Sequence, residues 1–311
     1  MSNFRFSLEK YSGFKSRFHC PNCNKREFTR YIDNAIWNYI DDSVGRCNRI
    51  EKCGYHKTPK MFYEESGEKP RLISELSLPE IAIKPTFFCD EELLLQSLHL
   101  ENRTSYLFDF LIQYFDKEKV QNVFQKYLIG VSNFWGKSTI FWQIDRMKKI
   151  RCGKIMNHDS HSGRRDQSKF KWIRNEDVVT EMRQVFFGVH LIDYYNNYKI
   201  GIVESEKTAL LCDLFFDEKI VWISSGGLQG INENKFKDLI DREVILFPDL
   251  SAKDSKNPAI KLWTNQAKTI GENLNINIKI NNYLELFANE TEKENQYDLA
   301  DFILKNIDVK R

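Results

Sequence analysis

The chain lacks any apolar run near the roughly 18 residues that a membrane-spanning helix needs, so no helical membrane span and no membrane partner are expected. It lacks a dominant charge: 46 Lys and Arg against 44 Asp and Glu leave a net +2, and the bulk figure alone implies no polyanionic partner. No internal repeat and no low-complexity segment is visible. Met1-Ser2-Asn3-Phe4-Arg5-Phe6-Ser7-Leu8-Glu9-Lys10 holds two cations and no apolar stretch, so no secretory signal is expected. The expected setting is therefore cytoplasmic, where disulfides do not persist. What the chain has in quantity is core material. Hydrophobic residues make up 41%, too many for a disordered protein, and 311 residues suffice for two domains and a small third.

Cysteine is sparse but clustered. Four of the seven fall in two short groups, Cys20-Pro21-Asn22-Cys23 and Cys47 with Cys53. Two thiol pairs separated by enough chain for a β-hairpin fit a closed tetrahedral zinc site, the layout of a zinc ribbon. Cys20, Cys23, Cys47 and Cys53 are the expected ligands, with His56 a possible replacement because Cys53-x2-His56 is also a legal pair. Cys89, Cys152 and Cys212 are scattered among apolar residues and read as small core side chains. Around the thiols lie Lys25, Arg26, Arg30, Arg46, Arg49, Lys52 and Lys57, interleaved with Phe28, Tyr31, Trp37, Tyr39 and Tyr55. Cations for phosphates and flat rings for bases suit single-stranded nucleic acid, with Arg30 and Arg46 as candidate contacts.

Four stretches are expected. Residues 1–63 form the ribbon, and 64–88, with Gly67, Pro70, Pro79 and Pro85, a linker. Residues 89–198 form a helical and small β-sheet region. Leu107, Phe108, Leu111, Ile112 and Phe115 recur at helical spacing, and the period turns to two from Tyr127. Residues 199–311 alternate strand and helix, which predicts a parallel sheet with right-handed crossovers. The fold class is thus α/β, with an N-terminal zinc ribbon, a mixed middle and a Rossmann-like C-terminal sheet.

Function in such sheets collects at the carboxyl ends of strands. Ile200-Gly201-Ile202-Val203 delivers Glu204, and Val244-Ile245-Leu246-Phe247 delivers Asp249. Two carboxylates at one edge suit Mg²⁺ or Mn²⁺ and the phosphate oxygens such ions take. The bland alternative is that Glu204 caps the following helix and Asp249 opens a turn.

These residues carry a resemblance. Ile202-Val203-Glu204-Ser205-Glu206-Lys207-Thr208-Ala209-Leu210 resembles the first motif of the Toprim domain of bacterial-type primases, topoisomerases and some nucleases. Val244-Ile245-Leu246-Phe247-Pro248-Asp249 resembles the strand leading into its Asp-x-Asp motif, and Tyr297-Asp298-Leu299-Ala300-Asp301-Phe302 the closing segment of primase-like members. The order ribbon, middle region, Toprim is similar to primase-like proteins of mobile genetic elements. The resemblance implies roles for Glu204 and Asp249 as catalytic, metal-ordering residues. The second aspartate of Asp-x-Asp falls on Ser251, a departure, and Asp254 is the nearby carboxylate that could substitute.

Arg151, Lys154, Arg164 and Arg165 cluster at strand ends of the middle region, and Lys207 follows Glu204; all are candidate nucleotide or nucleic-acid contacts. A solvated hairpin edge is the competing reading. The implied activity is synthesis of short RNA primers on single-stranded DNA from nucleoside triphosphates, with a helicase or replication initiator as a possible partner. The alternatives are a degenerate DNA-binding accessory protein and a Toprim nuclease.

Overall fold

A computed structural model describes residues 5–9, 16–50, 52–68, 88–99, 102–173, 183–252, 255 and 258–307. Two compact units emerge, Met1–Ile83 and Lys84–Arg311. Most of the expected linker, and Asp254, lie outside the described residues. Among the described residues no helix is long and apolar enough to cross a membrane.

The first unit is a five-stranded sheet: β1 (Phe6–Leu8), β2 (Phe28–Asp33), β3 (Asn38–Tyr39), β4 (Gly45–Cys47) and β5 (His56–Lys57), ordered β1-β2-β4-β5 with β3 also on β2. Every pairing is antiparallel. Its buried core is small, Cys20, Phe28 and Cys47. Gly45 is required by close approach, because a Cβ there would meet the Thr29 carbonyl at 2.3 Å and the Phe28 ring at 2.5 Å. Helix α1 (Pro59–Ser66) follows, capped by Thr58 and stopped by left-handed Gly67. It carries helix into the start of the expected linker.

In the second unit, α2 (Glu91–Ser97), α3 (Tyr106–Leu111) and α4 (Lys117–Lys126) start at Asp90, Ser105 and Asp116, whose side chains accept backbone N–H bonds. They pack around an antiparallel sheet ordered β6 (Gly130–Ser132), β7 (Ser138–Ile144), β8 (Ile150–His158), β9 (Arg165–Ile173). Alternation divides its two faces. Ile140, Trp142, Ile144 and Ile155 share a cluster with Leu94 of α2, while Phe141 and Met156 join the main core.

The chain then forms β10 (Lys199–Val203), α5 (Glu206–Phe215), β11 (Ile220–Ser224), α6 (Glu233–Phe236), β12 (Val244–Leu246), α7 (Ala259–Leu274), β13 (Ile278–Ile280), α8 (Tyr283–Phe287), α9 (Glu290–Glu294) and α10 (Leu299–Lys305). The strands make one parallel sheet in the order β11-β10-β12-β13. The main core runs from Leu107 to Ile303 without interruption at residue 198, the expected boundary. Tyr127 shows why: its buried hydroxyl donates to the Trp222 carbonyl at 2.8 Å, joining α4's C-terminus to β11. Middle region and parallel sheet are one packed body.

A buried ion pair also crosses that body. Lys154, on the β8 face that carries Met156, donates to Glu206 Oε1 at 2.6 Å and to the Gly226 carbonyl at 3.2 Å. The side chains are 6% and 3% exposed. Removing one partner of a buried pair strands the other's charge, so Glu206→Gln is expected to lower unfolding stability by about 3–5 kcal/mol. Denaturant titration checks this, and a loss below about 1 kcal/mol would mean the pair is wetter than its burial indicates.

Candidate functional site

Two sites take shape, one in each unit. In the first, the turn holding Cys20 and Cys23 is closed by Asn24 N–H donating to the Cys20 carbonyl at 2.9 Å, with Asn24 left-handed at φ 53°. Cys47 ends β4, and Cys53 sits on the turn that follows. The Sγ atoms of all four lie within 4.8 Å of one another. Cys20 to Cys53 is 3.7 Å and Cys23 to Cys47 is 3.9 Å. Zinc–sulfur bonds of about 2.3 Å set tetrahedral edges of about 3.8 Å, whereas a disulfide would need about 2.05 Å. The four cysteines form a zinc-binding site. Cys53 Sγ accepts from the Tyr55 backbone N–H and from Asn22 Nδ2, which pull its thiol down to about 6. His56 takes no part; its Nε2 lies 3.1 Å from the Tyr31 hydroxyl, and the two rings stack.

Of the ribbon's candidate contacts, Arg46 is exposed on β4. Arg30 is engaged: it pairs with Asp42 at 2.9 Å and lies 3.9 Å over the Phe18 ring. Phe28 is core, but Trp37 stands 82% exposed.

The second site is at the carboxyl edge of the parallel sheet. Ile202 on β10 is level with Leu246 on β12, so both strands end at one rim. The connections after β10 and β12 leave toward opposite sides, which makes this gap the topological switch point, the usual ligand crevice of an open α/β sheet. Glu204 and Asp249 meet there, with the Asp249 backbone N–H donating to the Glu204 carboxylate. Glu204 is not the cap of α5; Ser205 is, its hydroxyl accepting from Thr208 N–H at 3.1 Å. That leaves the Glu204 carboxylate to the crevice.

Two further carboxylates stand at this rim. Asp298 caps α10 in a reciprocal capping box with Asp301, and its Oδ2 accepts from the Thr208 hydroxyl at 2.7 Å. Burial, then the Asp298 charge, raises Glu204 to about 7. Asp249 is held well above the carboxylate range by burial and then by Asp298, Glu204 and Asp301. Burial and Asp298 raise Asp301 too, while Lys207 is the cation that opposes the shifts of both aspartates. Four acids facing one half-buried lysine is a surplus of negative charge. Glu204, Asp249, Asp298 and Asp301 are the side chains that could hold a hard divalent cation. Among the described residues only the cysteines gather three or more ligating atoms within 4.8 Å; the carboxylates of the acidic rim stand farther apart. Asp298 and Asp301 were not singled out as site residues from sequence. Their spacing is also that of an ordinary helix cap, which hides them. Ser251 accepts from Ala259 N–H at 2.8 Å at the start of α7.

The basic residues do not form one patch. Arg151 and His158 stand seven residues apart on β8, about 23 Å at strand rise. Arg151 pairs with Asp145 at 2.7 Å and lines a polar cleft of about 800 Å³ with Lys235 and Lys237. Lys154, placed among surface cations from sequence, is instead sealed in its pair with Glu206, because its face of β8 packs against the parallel sheet. Arg164 and Arg165 line a second cleft of about 540 Å³ with His158.

A family described as Domain of unknown function (DUF6371) matches residues 105–250, and a zinc beta-ribbon finger family matches residues 4–68. No curated protein matches. Among solved structures, the primase fragment of the bacteriophage T7 primase-helicase aligns at 15% identity and TM-score 0.37, over 90% of this chain and 98% of that one. The DnaG catalytic core aligns at 11% and 0.41, over 61% and 67%. The zinc-binding and RNA polymerase domains of the Aquifex aeolicus primase align at 13% and 0.37, over 96% and 83%. Similarity at this level assigns no function by itself.

Proposed function

We propose that this chain is a primase-like nucleotidyltransferase, with a Toprim-like acidic rim that extends short RNA primers on single-stranded DNA. The observation that carries the proposal is the convergence of Glu204 and Asp249, with Asp298 and Asp301, at the switch point of the parallel sheet. A magnesium or manganese ion bound there would offset the crowded negative charge and orient a triphosphate for in-line displacement. The 3′-hydroxyl oxygen bonds the α-phosphorus as the bond to the β-phosphate breaks; pyrophosphate leaves, and the hydroxyl proton passes to solvent. Lys207, beside the aspartates, is placed to balance phosphate charge. Asp298 and Thr208 hold the rim's geometry through their hydrogen bond. Such chemistry needs chiefly positioning and charge neutralisation, which these groups supply. In the ribbon, exposed Trp37 offers a stacking face and Arg46 a phosphate contact.

The test is labelled ribonucleotide incorporation on circular single-stranded DNA with Mg²⁺ or Mn²⁺. Template-dependent short RNA is expected. A second reading, a DNA-binding module without catalysis, draws on Ser251, an uncharged side chain that accepts the Ala259 N–H where the Toprim motif has its second aspartate. Tight DNA binding without incorporation would establish it, and DNA cleavage under the same conditions would point to a nuclease. If the exposed ribbon cations Lys25, Arg26, Arg46 and Lys52 are the DNA phosphate contacts, log affinity should fall against log salt with a slope of about −3 for single strands. A flat profile would remove them as the DNA surface.

A further inference from the structure

The glycine loop after β11 ties the acidic rim to a buried group that the proposed chemistry leaves unused. Ser225 N–H donates to the Val203 carbonyl at 2.9 Å and Gly226 N–H to the Glu204 carbonyl at 3.0 Å. These two bonds carry the β10–β11 ladder past its last paired residues, Val203 and Ser224. They hold the main chain from which the Glu204 carboxylate projects. Gly226 and Gly227 have positive φ, 82° and 133°, so the loop has little stiffness of its own.

Two buried lysines hold the loop by successive carbonyls. Lys154 of β8 donates to the Gly226 carbonyl at 3.2 Å, and Lys235 of α6 to the Ser225 carbonyl at 2.9 Å. Gly230 brings the chain that leads into α6 against the same Ser225 oxygen; a Cβ there would lie 2.1 Å from it. Lys154 has Glu206 as its counter-charge. Lys235 is 4% exposed and forms no ion pair among the described residues; its ammonium lies 5.4 Å from the centre of the Phe186 ring. Burial first, and then the Lys154 charge, bring Lys235 down to about 8, against the pull of Glu206. A neutral donor would satisfy one carbonyl without burying an ammonium. A charge-assisted hydrogen bond is roughly twice as strong, so the costlier side chain gives a more firmly fixed loop.

We propose that Lys235 is a positioning residue for the acidic rim: through the Ser225 carbonyl it fixes the glycine loop whose Gly226 N–H holds the backbone of Glu204. The Ser225 carbonyl and the Gly226 N–H belong to one planar peptide group, its oxygen on Lys235 and its N–H on Glu204. Turning that plane moves both ends at once. A cation on the oxygen also polarises the N–H at the far end and strengthens its bond to Glu204. Without the ammonium the plane turns about the single bonds that flank it, and the Glu204 carboxylate loses its fixed place beside Asp249. The inference rests on the proposed function for what the placement of Glu204 serves, and its test does not need turnover.

Three variants of the full, zinc-loaded chain are compared with the native protein. Lys235→Met keeps the stem and drops the donor. Gly230→Ala pushes on the Ser225 carbonyl without touching a charge, and Lys237→Met removes the exposed lysine two residues on. Amide exchange at Ser225 and Gly226 is followed by NMR, and unfolding by denaturant. Mn²⁺ affinity is read by electron paramagnetic resonance, the rim's share being the part that Glu204→Gln removes. Lys235→Met and Gly230→Ala are expected to speed exchange at the two amides by about tenfold or more. They should weaken Mn²⁺ at the rim by about 10- to 100-fold, the usual cost of losing a partner behind a metal ligand. Lys237→Met should change neither. A Lys235→Met protein that loses stability while both amides and Mn²⁺ affinity stay as they were would make the lysine a merely structural residue and overturn the proposal. Failure of both loop variants to fold would overturn it too. If the native rim takes no Mn²⁺, the proposed function falls and exchange at Gly226 still decides the positioning. If Mn²⁺ binds and neither variant alters it, the positioning falls and the function stands.

Discussion

Glu204→Gln is expected to lower ribonucleotide incorporation by about a hundred- to a thousandfold, the usual cost of deleting one electrostatic group aimed at a reacting phosphate or oxyanion. The substitution keeps the shape and keeps an oxygen for the Asp249 N–H, so the fold should hold. It also removes one member of a group of acids that burial and mutual repulsion disfavour. The melting temperature in the absence of divalent metal should therefore be unchanged or higher, the pattern of a group kept for activity at some cost in stability. The sign matters more than the size. A structural carboxylate would lose stability on substitution and leave activity largely intact. Incorporation assays and thermal unfolding on one preparation separate the two cases.

Stripping the zinc should have the second large effect. The ribbon's buried core is Cys20, Phe28 and Cys47, with Phe18, Cys23, Cys53 and Tyr55 packed around it. Four of those seven are the ligands, so the metal stands in for a core the sheet does not otherwise have. Structural zinc contributes about 10–16 kcal/mol, as much as or more than the whole stability of an ordinary domain. A strong chelator, or Cys20→Ser, should abolish amide protection across residues 16–68 and weaken single-strand binding. The unit Lys84–Arg311 holds its own continuous core and should keep its protection. Hydrogen exchange reads both units in one experiment. Loss of protection in both would show that the second unit depends on the first, and a ribbon protected without metal would show a core beyond the thiols.

Much of the architecture was legible because local signals agreed with the global answer. Leu107, Phe108 and Leu111 recur at helical spacing and lie on helix α3, buried. Ile200-Gly201-Ile202-Val203 reads as a strand delivering Glu204 and lies in the second strand across the parallel sheet. The thiol spacing carried enough geometry to specify a tetrahedral site. What stayed hidden depended on contacts between distant segments. Lys154 reads as a surface cation until β8 is packed against α5, where Glu206 meets it. The basic residues look like one patch in sequence because a turn brings them close in number, while β8 holds Arg151 and the Arg164–Arg165 turn at opposite ends. Asp298 and Asp301 satisfy a helix-cap pattern completely, so although their segment resembles a known motif, nothing local announces that the two carboxylates face Glu204 and Asp249. The tie from Thr208 to Asp298 spans 90 residues and has no sequence signature.

The most direct test of the central claim is anomalous diffraction from crystals grown with Mn²⁺ and a nucleoside triphosphate. The expected result is a manganese peak in the crevice at the end of β10 and β12, bonded to Glu204 or Asp249 at about 2.1–2.2 Å, the range of a small hard cation on oxygen. A map with zinc at the cysteines, and no peak at the acidic rim at a manganese concentration that saturates any activity, would contradict it.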